Sequence, residues 1–355
     1  MTTDLLALTE ALCAIPSVSG DEKAIADDVE QRLRRDAPAL AVERIGNNVI
    51  ARTDLGLPTR VVLGGHLDTV PPNDNETPRR EGDTLHGLGT ADMKGGLAVL
   101  LSIAAGLRGA RPQRDVTFVF YEGEEVADEH NGLRRLFAER AELVAGDLAI
   151  LLEPTGGWVE AGCQGTIHVR ATFDGQRSHS ARPWMGVNAI HKAAPLLERV
   201  AGFAAETVAV DGLDYRESLQ VVRVEGGIAN NVVPDRCSVV INRRYAPSRT
   251  LDDAVAAVKA MCVDAGADAV EIVNASSAAP PNLWNPLVAE LIGVYNLPVR
   301  PKLGWTDVAR FAAHGIPALN LGPGDPELAH TAKEFVALGD LEGCASVLRS
   351  LIGGQ

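Results

Sequence analysis

Two patterns of apolar positions alternate along the first part of the chain. Arg60–Gly65 (RVVLGG), Val116–Tyr121 (VTFVFY) and Asp147–Leu152 (DLAILL) are short apolar runs bounded by polar residues. Runs of this length predict strands buried on both faces of a largely parallel sheet. Asp21–Arg35 instead carries its apolar residues at helical spacing behind an acidic start, which predicts an amphipathic helix. The longest apolar run, Gly95–Leu107, reads as a helix, and it is too short to span a bilayer, which needs about 20 residues. Alternating strands and helices imply an α/β domain. In such sheets ligands bind beyond the carboxyl ends of the strands, so the polar residues after the three runs are expected on one rim.

The pattern changes over Thr166–Asn274. It reads as strand (Thr166–Phe173), helix (Val187–Ala201), strand (Leu219–Glu225), strand (Cys237–Tyr245), helix (Leu251–Ala265) and strand (Val270–Asn274). Strand-helix-strand-strand-helix-strand is the ferredoxin-like order. Ser276–Pro286 (SSAAPPNLWNP) then reads as a linker, after which a helix (Thr306–His314), a strand (Ala318–Gly322) and a terminal helix (Leu341–Ile352) are predicted. The expected architecture is an α/β domain, 1–164 and 279–355, interrupted by an inserted α+β domain, 165–278.

Composition narrows the function classes. The 355 residues include 47 Asp and Glu against 33 Lys and Arg, a formal charge of −14, which argues against nucleic acid or anionic lipid as the main partner. An anionic substrate would need a local reversal of that field. The five cysteines, Cys13, Cys163, Cys237, Cys262 and Cys344, are odd in number and never form C-x-x-C, which disfavours a disulfide framework or thiolate zinc knuckle. They are expected as buried free thiols in a reducing cytosol. Met1–Pro16 is acidic and amphipathic, without a basic leader or small-residue cleavage site, so a cytoplasmic protein is expected.

Five segments at strand ends or in loops carry candidate chemistry. Gly65-His66-Leu67-Asp68-Thr69-Val70-Pro71 puts His66 and Asp68 on one side of an extended end, where one can bind a metal while the other orients it. Taken alone, such a pair reads more readily as structural. In Gly87-Leu88-Gly89-Thr90-Ala91-Asp92-Met93-Lys94-Gly95-Gly96, Asp92 stands where a dinucleotide loop would have its third glycine and would repel pyrophosphate, so it reads as a metal ligand or a helix cap. Glu122, Glu124 and Glu125 (YEGEE) are either ligands or a solvated acidic loop. Glu153 follows the run LAILL, and His330 sits in the glycine- and proline-rich GPGDPELAHT. Taken together, two histidines and several carboxylates on one rim suit zinc, cobalt or manganese in a hydrolytic site. Two histidines, a bridging Asp and two flanking Glu would form a two-metal centre with ions about 3.5 to 4 Å apart.

The ordered set GHLDTVP, GLGTADMKGG, YEGEE, LLEPT and ELAHT resembles the family of co-catalytic dizinc amidohydrolases and exopeptidases that includes aminoacylases, acetylornithine deacetylases and succinyl-diaminopimelate desuccinylases. The resemblance spans essentially the whole chain. It implies a zinc-peptidase-like catalytic domain interrupted by a ferredoxin-like lid and dimerisation domain, with two zinc ions as cofactors and cobalt able to substitute. By motif, His66 and Glu153 would hold one ion, Glu125 and His330 the other, and Asp92 would bridge them. Glu124 would be the general base and Asp68 the group orienting His66, while Glu122 matches no ligand position.

In the inserted domain, QRSHSARP resembles the lid histidine motif, so His179 would stabilise the oxyanion across a dimer interface. GGIANNVVP and NRRY resemble the substrate-binding segments, which implies Asn230, Asn231 and Arg244, with Arg243 a possible substitute for Arg244. Thr306, Asp307 and Gly324 match pocket-lining positions. VEAGCQGT, SHSAR, GWTDVARF and GPGDPELAH are most similar to the actinobacterial desuccinylases, which implies hydrolysis of N-succinyl-LL-2,6-diaminopimelate to succinate and LL-2,6-diaminopimelate. Gly162-Cys163-Gln164-Gly165 departs from the arginine-containing start of the lid strand in other desuccinylases, and Arg182 is the candidate replacement anchor; Arg244, Arg182 and Arg310 are the candidate partners of the substrate carboxylates. An acetylornithine deacetylase or dipeptidase would use the same centre, and a metal-free binding homologue would keep only the fold.

His86, His130, His168, His191 and His314 are expected in structural or surface roles. Trp158, Trp184, Trp284 and Trp305 are expected in cores or interfaces.

Overall fold

The computed structural model describes residues 4–353. Its chain falls into two compact units: one comprises the residues up to Ala161, Asn282–Arg300 and the residues from Arg310 on, the other Gly162–Pro281 and Pro301–Ala309. The segment 301–309, expected in the catalytic domain, groups with the second unit. There the Gln164 N–H donates to the Lys302 carbonyl and the Trp305 indole to the Ser277 carbonyl. Such pairings between distant segments leave no local signature.

An eight-stranded sheet forms the centre of the first unit. Its strands run in the order Ala41–Ile45, Asn48–Arg52, Asp115–Tyr121, Arg60–His66, Leu148–Leu151, Ala318–Asn320, Val159–Ala161, Val299–Pro301. The four strands from Asp115–Tyr121 to Ala318–Asn320 are mutually parallel. All four therefore end on the same rim. These are the apolar runs of the sequence, and their residues are buried almost without exception because helices cover the sheet. Gly95–Gly106 is apolar all round because it is enclosed, packing against Leu5–Cys13, Lys23–Asp36 and Leu338–Ile352. The predicted helix at Asp21 begins at Lys23, with Ile25, Val29 and Leu33 on its buried face. Glu22, just before it, is buried and accepts the Gly20 N–H at 2.8 Å.

In the second unit a four-stranded antiparallel sheet has the order Ser218–Gly226, Arg236–Tyr245, Gly165–Asp174, Ala269–Ser276. Numbered along the chain this is 2-3-1-4, the ferredoxin-like arrangement. Helices Ala189–Ala201 and Leu251–Asp264 pack on it, capped by Asn188 and Thr250. Their apolar stripes join Ile167, Val169, Phe173, Val239 and Ile241 in one core. The hairpin Thr207–Val210 with Leu213–Arg216, which the sequence reading lacked, is inserted before the second strand.

All five cysteines are free and buried, as expected. Trp158, Trp184 and Trp284 are exposed, so none of these three sits in a core. No helix among the described residues is long and apolar enough to cross a membrane.

Asp115 opens a central strand while its carboxylate accepts from the Thr53 hydroxyl (2.6 Å) and from the N–H groups of Leu55 (3.0 Å) and Leu57 (2.9 Å). Burial opposes ionisation, yet these bonds hold its pKa below the ordinary value. Asp115→Ala is expected to lose about 1–3 kcal/mol at pH 7, read as a lower urea midpoint at unchanged slope. Because the folded-state pKa is the depressed one, its ionisation-linked part is complete above the unfolded value and fades as pH falls below about 4, so the gap between the two proteins should narrow there.

Candidate metal centre

Three parallel strand ends deliver the first groups. His66 closes its strand, Glu122–Glu125 follow Tyr121, and Glu153 follows Leu152. His66 is buried, its Nδ1 3.0 Å from the Asp68 carbonyl and 3.4 Å from Asp68 Oδ1, its Nε2 3.1 Å from Asp92 Oδ1. Asp92 lies in the turn Thr90–Lys94, with non-helical backbone angles at Asp92 and Met93, just before the helix Gly95–Gly106. Its second oxygen lies 3.4 Å from His330 Nε2, which is 2.7 Å from Glu125 Oε1. Each oxygen of Asp92 thus faces a different imidazole.

Candidate donor atoms in three sets lie within 4.8 Å of one another: His66, Asp92 and Glu153; Asp92, Glu125 and His330; His66, Glu124 and Glu125. Four carboxylates and two histidines converge, an excess of negative charge that burial makes unfavourable unless cations neutralise it. Nitrogen and oxygen donors without thiolate suit divalent hydrolytic metals, so the residues present fit such ions. The titration shifts follow the same geometry. Burial works against a charged His66, but its bonds to Asp68 and Asp92 hold its pKa well above the ordinary value. Bonds to Asp92 and Glu125 push His330 up to about 10. Metal ions would take the nitrogen lone pairs that these protons occupy, so uptake would release protons.

Asp68 ties the centre together. It is fully buried, and its oxygens accept the Ser19 hydroxyl (2.7 Å) and the N–H groups of Glu124 and Glu125 (3.0 Å each). Although burial opposes it, the His66 contact and these bonds hold its pKa down at about 2. Gly123 permits the turn: its φ is +68°, and a Cβ there would sit 2.4 Å from the His130 carbonyl oxygen. On the far side, a Cβ on Gly322 would lie 2.4 Å from the Glu153 carbonyl oxygen, so only glycine allows the segment leading to His330 to pass. The Thr155 hydroxyl bridges to the same glycine at 3.1 Å.

Two residues at this centre had no motif to announce them. Ser19 is held beside Asp68 by main-chain pairing of Ser17 and Ser19 with Thr69. Glu334 is buried four residues after His330 and accepts the N–H groups of Ala91 (2.9 Å) and Asp92 (3.0 Å); burial pushes its pKa up to about 7. Glu122 holds the turn between the first two strands through Asn47 and Asn48. Gly324 is buried with φ +86° beside Ala91.

The remaining candidates lie in the second unit. His179 is exposed on the short strand paired with Val232–Val233, and its Nδ1 accepts the Ala181 N–H at 3.0 Å. The neutral ring then carries its proton on Nε2. Asn230, Asn231 and Arg182 are exposed, and Thr306 and Asp307 are buried. Arg243 is paired with the buried Glu217, which also accepts from Arg249 (2.7 Å) and the Ala246 N–H (2.9 Å). Arg244 is half-buried with no side-chain hydrogen bond or ion pair among the described residues, and burial pushes its pKa down. In the first unit, Arg310 is committed to Asp128 at 2.6 Å. Of the other histidines, His314 stacks on Phe137, His86 on Phe335, and His168 meets Asn242.

The sequence profile of peptidase family M20/M25/M40 matches residues 62–353. A Mycobacterium tuberculosis protein provisionally assigned as a succinyl-diaminopimelate desuccinylase is 49% identical over 352 residues, covering 99% of this chain and 98% of its own. The succinyl-diaminopimelate desuccinylase of Corynebacterium glutamicum is 46% identical over 354 residues, covering 98% and 96%. Among solved structures, the aminopeptidase PepT of Bacillus cereus superposes with a TM-score of 0.80 at 21% identity, covering 98% of this chain and 97% of that one. The Bacillus subtilis YXEP protein, a dinuclear metal-binding peptidase, superposes with a TM-score of 0.69 at 15% identity, covering 98% and 96%.

Asp68→Ala should weaken metal binding by about 10 to 100-fold, read as metal content after dialysis against graded chelator. Unchanged content would mean that His66 and the Glu124–Glu125 turn are held by other contacts.

Proposed function

The chain belongs to peptidase family M20/M25/M40 and is a metal-dependent hydrolase, and from that premise we propose that it converts N-succinyl-LL-2,6-diaminopimelate and water to succinate and LL-2,6-diaminopimelate, in lysine and cell-wall biosynthesis. The observation that carries the reaction type is Asp92, with one oxygen towards His66 and the other towards His330. Near full-length identity to the named desuccinylases supports the choice of substrate.

The proposed cofactors are two zinc ions, for which cobalt substitutes. His66 and Glu153 would hold one, Glu125 and His330 the other, with Asp92 shared. When bound, such ions lower the pKa of coordinated water from about 16 towards 7 and polarise the amide carbonyl. Glu124, fixed through its own N–H on Asp68, takes the proton from the attacking water. As the carbon–nitrogen bond breaks, Glu124 passes that proton to the leaving amine. His179, proposed to act across the interface of the dimer, would donate its Nε2–H to the amide oxygen as negative charge develops there.

Arg244 is proposed to bind a substrate carboxylate, supported by its half-buried guanidinium, which has no counter-ion among the described residues. Arg182, Asn230, Asn231, Thr306, Asp307 and Gly324 are the other proposed substrate contacts. A homodimer through the inserted domain is supported by its edge strand Ser218–Gly226, where Val222 and Val224 are exposed, and by exposed Ile190 and Ile228 nearby. A cytoplasmic location accords with the biosynthetic role.

Metal-loaded protein offered N-succinyl-LL-2,6-diaminopimelate, N-acetylornithine and dipeptides should release succinate fastest. Preference for acetylornithine or a dipeptide would replace the substrate assignment while leaving the centre intact. Glu124→Gln should abolish turnover with both metals retained. His179→Ala should lower kcat by about 100 to 1000-fold, the usual cost of an oxyanion donor; near-normal turnover in either variant would remove that residue from its role.

A further inference from the structure

Glu334 is a buried carboxylate that the reaction outlined above does not use. It is 2% exposed, and one of its oxygens, Oε1, accepts the N–H groups of both Ala91 and Asp92. Its own carbonyl accepts the Gly87 N–H at 3.0 Å, and the next residues, Phe335–Ala337, pair with Thr84–His86. The segment that carries His330 is therefore stitched to the turn that carries Asp92. That turn needs an outside acceptor, since Asp92 and Met93 have φ of −118° and −134° and depart from helical geometry. A buried N–H without a partner is costly, and the acceptor here comes from a segment more than two hundred positions away.

A second carboxylate placed beside Asp92 is unfavourable by itself, and an apolar side chain would fill the space at lower cost. We propose that Glu334 is a positioning residue for the metal centre: by accepting the Ala91 and Asp92 N–H groups it holds the Asp92 carboxylate with one oxygen towards each histidine. The proposal rests on the assignment of Asp92 as the shared ligand. A shared ligand is sensitive to small displacements, because moving it towards one ion withdraws it from the other. Loss of Glu334 should therefore weaken the pair of ions rather than the fold as a whole.

The test uses the full chain as wild type, Glu334→Gln, Glu334→Asp and Glu334→Ala, stripped of metal and titrated with cobalt(II). Bound cobalt per chain, the visible absorption of the cobalt protein, and thermal melting of the metal-free forms are read together. Gln keeps an oxygen in place of Oε1 and should retain both ions and the wild-type spectrum. Asp keeps the charge but falls one methylene short; it and Ala should bind the second ion about 10 to 100-fold more weakly, with kcat reduced and KM little changed. Wild-type affinity and spectrum in Glu334→Asp would overturn the proposal. So would a Gln variant as weak as Asp, which would make charge rather than acceptance the requirement. If Glu334→Ala does not fold, the Asp and Gln pair decides alone. Wild type binding fewer than two ions would instead overturn the reading of the centre.

Discussion

A carboxylate that is wholly buried must have its oxygens satisfied, and Asp68 meets that requirement with groups from two distant parts of the chain and one near neighbour. One is the hydroxyl of Ser19, another the His66 ring, and the third the paired N–H groups of Glu124 and Glu125. The same bonds that solvate Asp68 set the direction of a candidate ligand and place the proposed base beside a second ligand. The parallel strands bring these segments to one rim, and Asp68 turns that neighbourhood into a defined geometry. Its low pKa keeps it an acceptor throughout the neutral range.

Charge supplies the complementary constraint. Asp92, Glu124, Glu125 and Glu153 approach two imidazoles closely, and this set is stable only when positive charge lies among it. Two divalent ions would bring the formal charge from −14 to about −10 and would concentrate that change at one place. The ions would cancel the clustered carboxylate charge that otherwise repels an anionic substrate. In the second unit the arginines divide the work. Glu217 commits Arg243 and Arg249 to structure, whereas Arg244, next in sequence to Arg243, keeps its guanidinium available.

Much of this was legible along the chain because it is local. The parallel strands are continuous apolar runs, and the ferredoxin-like unit shows its order through alternating strand and helix periodicity. His66, Glu122–Glu125 and Glu153 lie at or just beyond the ends of parallel strands, where topology leaves them no other rim, whereas Asp92 and His330 sit in loops. The helices Gly132–Val144 and Pro286–Tyr295, by contrast, were not read from the sequence. The hairpin at Thr207–Arg216 and the grouping of 301–309 with the second unit also escaped, since both depend on pairing between segments.

The sequence by itself determined the fold class, the type of donor atoms and the strand ends that carry them, because each is encoded by residue type within a few positions. It preferred Arg244 but left Arg243 open as a substitute, and it did not show that Arg310 is paired with Asp128. Nor could it reveal that Ser19 and Glu334 touch the same centre from opposite ends of the chain. Those decisions belong to the tertiary structure. A hydrogen bond depends on distances of about 3 Å and on which group is left unsatisfied after burial, and neither quantity exists until the chain has folded.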